Sequence, residues 1–180
     1  MSVFVLVHGA FHGGWCFEKV VPLLEAAGHT AIAVDLPGHG DHAAPMEKVM
    51  LDAYVDHVCD VVSQQPEPVI LLGHSLGGLT ITQTSERLPD KVAWVVYLTA
   101  VMPANGHSRA DLSKLEGDNA VTANRILSDD GLSVTLPDEI IQPTFYGECP
   151  DEDVARAKKR LVPQAIQIFQ QPVETTPERF

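Results

Sequence analysis

Four short runs of apolar residues, rich in valine, isoleucine and leucine, constrain the fold of this chain more than any other feature. They span residues 3–7, 30–34, 69–72 and 92–98, and segments with helical spacing of apolar residues separate them at residues 17–27, 46–63 and 76–87. Continuous apolar runs of this length are typical of strands that are covered on both faces. The alternation therefore predicts an α/β fold with a mostly parallel, doubly wound sheet and right-handed crossovers.

The pattern changes in the second half of the chain, which is more polar and has shorter periodic segments. Its clearest helix is expected at residues 152–161, where Pro150 and Asp151 mark the start. We interpret the chain as the N-terminal part of a core at residues 1–107, an inserted, mainly helical cap at residues 108–172, and the start of a return to the core at residues 173–180.

Charge and cysteine content narrow the partners and the compartment. The net charge is −12, whereas a nucleic-acid surface needs clustered lysine and arginine, so nucleic acid is not an expected partner. No apolar run approaches the ~20 residues of a membrane span, so no membrane partner is expected and the protein should be soluble. The three cysteines are widely spaced and form no C-x-x-C pair, which favours reduced thiols in the cytoplasm.

A G-x-S-x-G motif at residues 73–77 is the strongest signal of chemistry in the chain. In a nucleophile elbow, this motif holds a serine on a strained turn between a strand and a helix. The context fits, because the motif directly follows the run at residues 69–72 and precedes the helical segment at residues 76–87. Ser75 is therefore the predicted nucleophile. The alternative is a glycine-rich turn with an incidental serine.

Acyl transfer also needs hydrogen-bond donors for the oxyanion that forms when a carbonyl is attacked. The backbone N–H of Leu76 is one candidate, because it follows the serine at the start of a helix. The second donor should come from the loop after the first strand, where Gly9 lets the backbone bend toward the site. We expect this donor to be the Ala10 N–H, with Phe11 as the fallback. Gly9, Phe11 and His74 are expected to contact the substrate.

Six ordered motifs together resemble the α/β-hydrolase group that contains plant methylesterases, hydroxynitrile lyases and bacterial esterases. They are Val7-His8-Gly9-Ala10, Gly13-Gly14-Trp15, Pro22 to His29, Asp35-Leu36-Pro37-Gly38-His39-Gly40, Gly73 to Gly78, and Met102-Pro103. Residues 177–180 look like the family's return from cap to core. The resemblance implies an α/β-hydrolase fold with a cap, and a carboxylesterase that acts on a small, largely apolar ester through an acyl-enzyme. It implies neither a metal nor an organic cofactor.

Two other functions remain open at this point. In the hydroxynitrile lyases of this group, a threonine of the oxyanion loop helps to hold the cyanohydrin, and the matching position here is Gly9, which favours the esterase branch. The other alternative is a non-catalytic protein that binds a ligand in an α/β-hydrolase-like pocket.

The acid and the histidine of a triad are not evident in these residues. The order in this fold is serine, acid, histidine, and the only histidine after Ser75 is His107, which no strand ending in an acid precedes. The resemblance instead places both groups beyond Phe180. His8 and His12 are interpreted as loop hydrogen-bonding residues, His74 as packing beside the elbow, and Asp35 as ordering a turn.

The same reasoning leads to two expectations for residues 1–180 alone. Without a base, Ser75 should be a poor nucleophile, so hydrolysis should be very weak. If the last strands of the sheet lie outside these residues, an edge strand is exposed. A homodimer, or pairing with a separate C-terminal segment, is then expected.

Overall fold

The computed structural model describes residues 1–117 and 119–178. The first half contains strands β1 (Val3–Val7), β2 (Thr30–Val34), β3 (Val69–His74) and β4 (Val92–Leu98), with helices α1 (Val21–Ala26), α2 (Leu51–Ser63) and α3 (Gly77–Arg87). The second half contains helices α4 (Arg109–Glu116), α5 (Ala120–Ala123), α6 (Asp138–Phe145), α7 (Asp151–Lys158) and α8 (Gln167–Gln170), and the short strands β5 (Ile126–Leu127), β6 (Ser133–Thr135) and β7 (Gln164–Ala165). No helix in the described ranges is long and apolar enough to cross a membrane.

The first four strands form one parallel sheet in the order β2-β1-β3-β4. The predicted α/β fold with a parallel sheet is therefore confirmed. Strands β1 and β3 are neighbours in the middle of the sheet, and Val7 pairs with Gly73. Because parallel strands end at the same edge of a sheet, the loop after β1 and the turn after β3 lie side by side.

The main core lies between the sheet and the helices α2 and α3. Valine and leucine side chains from alternate strand positions point to this side, where they pack against apolar residues of the two helices. The fully buried members include Val5, Val7, Val69 and Leu71 from the strands, and Val55, Val58, Leu79 and Ile81 from the helices.

The other face of the sheet is covered much less at its β4 side. Trp94 is 70% exposed and Leu98 is 46% exposed, and Val96 between them is also exposed. Strand β4 pairs only with β3 among the described residues. We call the surface formed by Trp94, Val96 and Leu98 the β4 face. An apolar patch on an edge strand favours association with another strand or surface.

Two predicted helices begin later than expected. In the segment at residues 17–27, a 3₁₀ turn at Gly14–Phe17 ends at its first residue, and the short helix α1 begins only at Val21. Leu23 of α1 is largely exposed. The segment at residues 46–63 is a 3₁₀ turn at Met46–Lys48 followed by α2. Val49 interrupts it in an extended conformation because its side chain is buried against Gly38. Tertiary packing outweighs helical periodicity there.

The region expected to be a mainly helical cap also contains a small sheet. Strands β5, β6 and β7 pair in an antiparallel arrangement, and the sequence analysis missed them because strands of two or three residues have no measurable periodicity. The predicted helix at residues 152–161 is α7, whose bounds are Asp151–Lys158.

The two ends of this region meet. The Gly106 N–H donates to Val173 O (2.9 Å), and the Val173 N–H donates to His107 O (3.1 Å). The two ends of residues 108–172, which we call the cap region or cap, therefore lie side by side. That this region is an insertion into a core stays a prediction. Of the expected return at residues 173–180, the last two residues lie outside the described ranges.

Candidate active site

Ser75 lies on the tight turn between β3 and α3, in a conformation that few non-glycine residues adopt. Its φ is +51°, and its carbonyl accepts hydrogen bonds from the N–H groups of Gly78 (3.1 Å) and Val101 (2.9 Å). A Cβ on Gly77 would lie 2.6 Å from His8 O, so only glycine lets the helix start so close to the end of β1. The turn therefore has the strained geometry of a nucleophile elbow.

The loop after β1 passes directly beside Ser75. A Cβ built on Gly9 would lie 2.9 Å from Ser75 Cβ and 3.2 Å from His74 O. Any side chain at position 9 would therefore require the loop or the elbow to move. The glycine brings the backbone of residues 9 and 10 close to Ser75.

Side chains of this loop fix the direction of its peptide groups. The His8 Nε2 accepts the Leu36 N–H (3.2 Å), so the ring carries its proton on Nδ1, which donates to Gly9 O (2.8 Å). In a trans peptide the C=O and the N–H point in opposite directions. Because Gly9 O is bound to His8, the Ala10 N–H of the same peptide points the other way, and Ala10 lines the cavity beside Ser75.

The amides of Ala10 and Leu76 are both free donors near Ser75. Within residues 1–117 and 119–178, neither N–H has a hydrogen-bond acceptor. Leu76 also immediately precedes helix α3, where the helix dipole favours negative charge. Two unpaired N–H groups beside a nucleophile can bind an oxyanion.

The fallback choice of Phe11 as the oxyanion donor is wrong. The Phe11 N–H already donates to Gln164 Oε1 (3.2 Å), and the Phe11 O accepts the Val162 N–H (3.0 Å). Its side chain does line the cavity, where the ring lies beside Phe145. Phe11 is thus placed to contact a substrate through its side chain but not through its N–H.

A cavity of about 1050 Å³ opens above the elbow. All six residues proposed from the sequence lie along it, namely Gly9, Ala10, Phe11, His74, Ser75 and Leu76. The cap supplies much of the opposite wall, including Val121, Phe145, Tyr146 and Phe169. The region at residues 108–172 therefore shapes the space in front of Ser75.

None of the histidines near the site is positioned as a base for Ser75. Among the described residues, no histidine or carboxylate is hydrogen-bonded to Ser75 Oγ. His12 donates from Nδ1 to Ala10 O (2.7 Å) and accepts the Tyr146 hydroxyl on Nε2. Burial lowers the pKa of His12 and of His74. His107 is exposed and does not line the cavity.

Buried histidines instead hold the loops together. Burial and the neighbouring His39 lower the pKa of His8 to about 3, and burial lowers the pKa of His39 to about 4. Both rings are therefore neutral at physiological pH. The His39 Nδ1–H donates to His12 O (2.6 Å), and its Nε2 accepts the Tyr54 hydroxyl (2.7 Å). The interpretation of His8 and His12 as loop hydrogen-bonding residues agrees with these contacts.

Asp35 does more than order the turn in which it lies. Its Oδ1 accepts the Gly14 N–H (2.7 Å) and its Oδ2 accepts the Asp41 N–H (3.0 Å). A Cβ on Gly40, whose φ is +54°, would overlap this carboxylate. Asp35 therefore ties the loop after β1 to the loop after β2.

Sequence reasoning missed the contact between the cap and the loop after β1. Gln164 is 153 residues away from Phe11 along the chain, and no motif marks it. Neither did the sequence indicate the Tyr54 hydroxyl, which joins His39 to Gln164. In the described part of the chain, no group of three or more histidine, cysteine, aspartate or glutamate side chains is arranged to hold a metal ion.

Comparison with known proteins places this geometry in a family. The model of the "Alpha/beta hydrolase family" matches residues 4–178. Esterase PIR7B of Oryza sativa subsp. japonica is 35% identical over 184 aligned residues, which cover 94% of this chain and 68% of that protein. Methylesterase 2 of Arabidopsis thaliana is 36% identical over 163 residues, which cover 84% of this chain and 62% of that protein.

Solved structures give the same result. The crystal structure of polyneuridine aldehyde esterase superposes with a TM-score of 0.89 at 29% identity, covering 99% of this chain and 76% of that one. The chain thus spans roughly two thirds to three quarters of the length of these relatives. Their names confirm the expectation of a carboxylesterase-type hydrolase at the level of the family. This chain belongs to the α/β-hydrolase family, in the group that contains the plant methylesterases and related esterases.

Proposed function

We propose that this chain carries the nucleophile and the oxyanion hole of a serine-dependent carboxylic ester hydrolase. The observation that carries the proposal is the placement of Ser75, on a strained turn, beside the two unpaired amides of Ala10 and Leu76. The names of its esterase relatives support the same reaction.

The proposed reaction has two steps. Ser75 Oγ attacks the ester carbonyl carbon while its proton passes to a base, and the Ala10 and Leu76 amides bind the oxygen that becomes negative. Collapse of this intermediate releases the alcohol, which takes up the proton, and leaves an acyl group on Ser75. Water then attacks the acyl-enzyme and releases the acid. We assign the base and its acidic partner to residues beyond Phe180, again as a proposal.

The substrate class follows from the cavity walls. Aromatic and aliphatic side chains lie on both sides of Ser75, with Phe11 and Leu98 from the core and Phe145 and Phe169 from the cap. Charged side chains, among them Arg109, Glu116 and Arg125, also line the cavity, but the apolar walls favour an apolar acyl or alcohol group. We therefore propose a small, largely apolar ester as the substrate.

Turnover of short p-nitrophenyl esters tests this function against its rivals. We expect a protein that extends beyond Phe180 and carries the proposed base, which we call the extended protein, to release p-nitrophenolate from an acetate or butyrate ester and no cyanide from a cyanohydrin. Residues 1–180 alone should release p-nitrophenolate only very weakly. The close approach of Gly9 to Ser75 favours the esterase over the lyase, since the threonine of the lyases would not fit at position 9 with the backbone in its present place. Cyanide release without ester hydrolysis would instead favour the lyase over the esterase. Ester binding without turnover would favour a non-catalytic binding protein.

We also propose that the β4 face mediates self-association of residues 1–180. Trp94, Val96 and Leu98 present exposed apolar surface beside an edge strand, so a dimer should be seen by light scattering as concentration rises. The double substitution Trp94→Lys and Val96→Lys should shift the protein to the monomer. The control is Leu115→Lys, on the exposed surface of α4, which should leave the dimer intact. A monomer at every concentration would contradict this proposal.

The compartment is the last part of the proposal. Cys16, Cys59 and Cys149 are all free thiols, and free thiols persist in reducing compartments. We therefore propose a cytoplasmic location.

A further inference from the structure

We propose that Gln164 of the cap is a positioning residue for the oxyanion hole, because it fixes the peptide that follows Ala10. This inference rests on the proposed function. It differs from that function in assigning part of the catalytic geometry to the cap rather than to the core.

Gln164 is placed directly behind the proposed donors. It is 1% exposed, and it lies with Gly9, Leu76 and Gly77 around a narrow gap that is too small to hold water. Its strand, β7, pairs with β6 of the cap. A fully buried amide side chain at this position needs hydrogen-bond partners for both of its ends.

The first partner is the backbone of Phe11. Gln164 Oε1 accepts the Phe11 N–H (3.2 Å), and the Val162 N–H donates to Phe11 O (3.0 Å). Phe11 has a φ of +66°, a conformation that an aromatic residue adopts only where surrounding contacts enforce it. The cap thus occupies both backbone groups of the most strained residue of the loop.

These contacts fix the peptide between Ala10 and Phe11 at both ends. Its C=O accepts the His12 Nδ1–H (2.7 Å), and its N–H donates to Gln164. The preceding peptide is fixed through Gly9 O by His8. With both peptides held, the Ala10 N–H between them keeps one direction. Preorganised donors bind a developing oxyanion better than donors that must turn toward it.

The second partner of Gln164 fixes the orientation of its amide. Gln164 Nε2 donates to the Tyr54 hydroxyl (3.2 Å), and that hydroxyl donates to His39 Nε2 (2.7 Å). His39 is an acceptor there because its Nδ1–H donates to His12 O. With its single proton used, the hydroxyl can only accept from Gln164. If the amide were flipped, its NH₂ group would face the Phe11 N–H, and both groups are donors. Oε1 must therefore face the loop.

Gln164→Met in the extended protein tests this role, since methionine has nearly the volume of glutamine but offers no oxygen acceptor to the Phe11 N–H. We expect kcat for a p-nitrophenyl ester to fall about 10- to 100-fold with KM changed less than about threefold, which is the pattern for loss of an interaction made in the transition state. The rates are divided by the fraction of sites that a fluorophosphonate titrates. The control is Ser128→Ala, which removes hydrogen bonds in the same cap sheet without touching the loop, and it should keep kcat.

Gln164→Glu gives a second readout, the pH dependence of kcat, which a purely structural role would not change. Burial raises the pKa of such a carboxyl group, and its protonated form offers a C=O to Phe11 and an O–H to Tyr54, as the amide does. The kcat of this variant, relative to the native protein, should therefore rise as the pH falls from 8 to 6.

The outcomes separate this inference from the function on which it rests. An unchanged kcat per titrated site in Gln164→Met, or a pH-independent ratio in Gln164→Glu, would overturn the positioning role while ester turnover by the native protein stands. No turnover by the extended protein with Gln164 in place would overturn the proposed function and this role with it. If Gln164→Met does not fold, the pH dependence of Gln164→Glu decides.

Discussion

Ser75→Ala is expected to abolish labelling by a fluorophosphonate and to lower ester turnover by on the order of 10⁴-fold or more in the active enzyme. The serine oxygen is the atom that forms the acyl-enzyme in the proposed reaction, and no other group at the elbow can replace it. The fold should be nearly unchanged, because the substitution removes one hydroxyl group that has no hydrogen-bond partner among the described residues. Mass spectrometry of the probe adduct and steady-state kinetics measure the two effects.

A second serine of the same segment provides the control for this experiment. Ser85 lies in α3, is buried, and donates to Thr82 O (2.9 Å). Ser85→Ala should cost some stability and leave the labelling of the protein intact. If Ser75→Ala is labelled as strongly as the native protein, the nucleophile lies elsewhere and the proposed mechanism is wrong.

Acidification from pH 7 to pH 5 is expected to destabilise the fold through His8 and His39. Both rings are buried, with pKa values lowered to about 3 and about 4, against about 6.5 in an unfolded chain. Below pH 6.5 the unfolded state therefore binds protons that the native state does not. Stability is full above pH 6.5 and is lost as the pH falls toward these lowered pKa values.

The size of the effect follows from the distance between pH 5 and the unfolded pKa. Each histidine should lower the free energy of unfolding by about 2 kcal/mol at pH 5. The pKa values of His12, His57 and His74 are lowered in the same direction, so they add to the loss. Urea unfolding at pH 7, 6 and 5 measures this loss of the free energy of unfolding. Most carboxyl groups titrate below this pH range and therefore contribute little to the change.

His39→Gln isolates one of the two main contributions. The amide can still donate to His12 O and accept from the Tyr54 hydroxyl, which are the two bonds that His39 makes, but it does not titrate. The variant should therefore lose less stability than the native protein between pH 7 and pH 5. His107→Gln, which makes the same substitution at an exposed position, serves as the control variant. A free energy of unfolding that is constant over this range would show that the buried rings do not resist protonation.

The acid response also concerns the proposed oxyanion hole. His8 uses its unprotonated Nε2 to accept the Leu36 N–H and its Nδ1–H to hold Gly9 O. A second proton on the ring would occupy Nε2, which could then no longer accept the Leu36 N–H. The Nε2–H and the Leu36 N–H would face each other as two donors. The direction of the Ala10 N–H therefore depends on a histidine that stays neutral.

The sequence by itself determined the parallel α/β sheet, the position of the elbow and the approach of the first loop to Ser75. These features are local: buried strands show as continuous apolar runs, and the elbow needs glycines at fixed offsets from its serine. Pairing of β1 with β3 then follows from the shared edge at which parallel strands end.

Only the tertiary structure decided which of the two candidate amides, Ala10 or Phe11, is free. Ala10 and Phe11 are adjacent and equivalent in the sequence, and the difference between them is a hydrogen bond from Phe11 to Gln164 in the cap. The small cap sheet and the interruption at Val49 likewise depend on partners distant in the chain. The direction of a peptide group is set by whichever side chain reaches it in the folded state, and no local pattern of residue types records that contact.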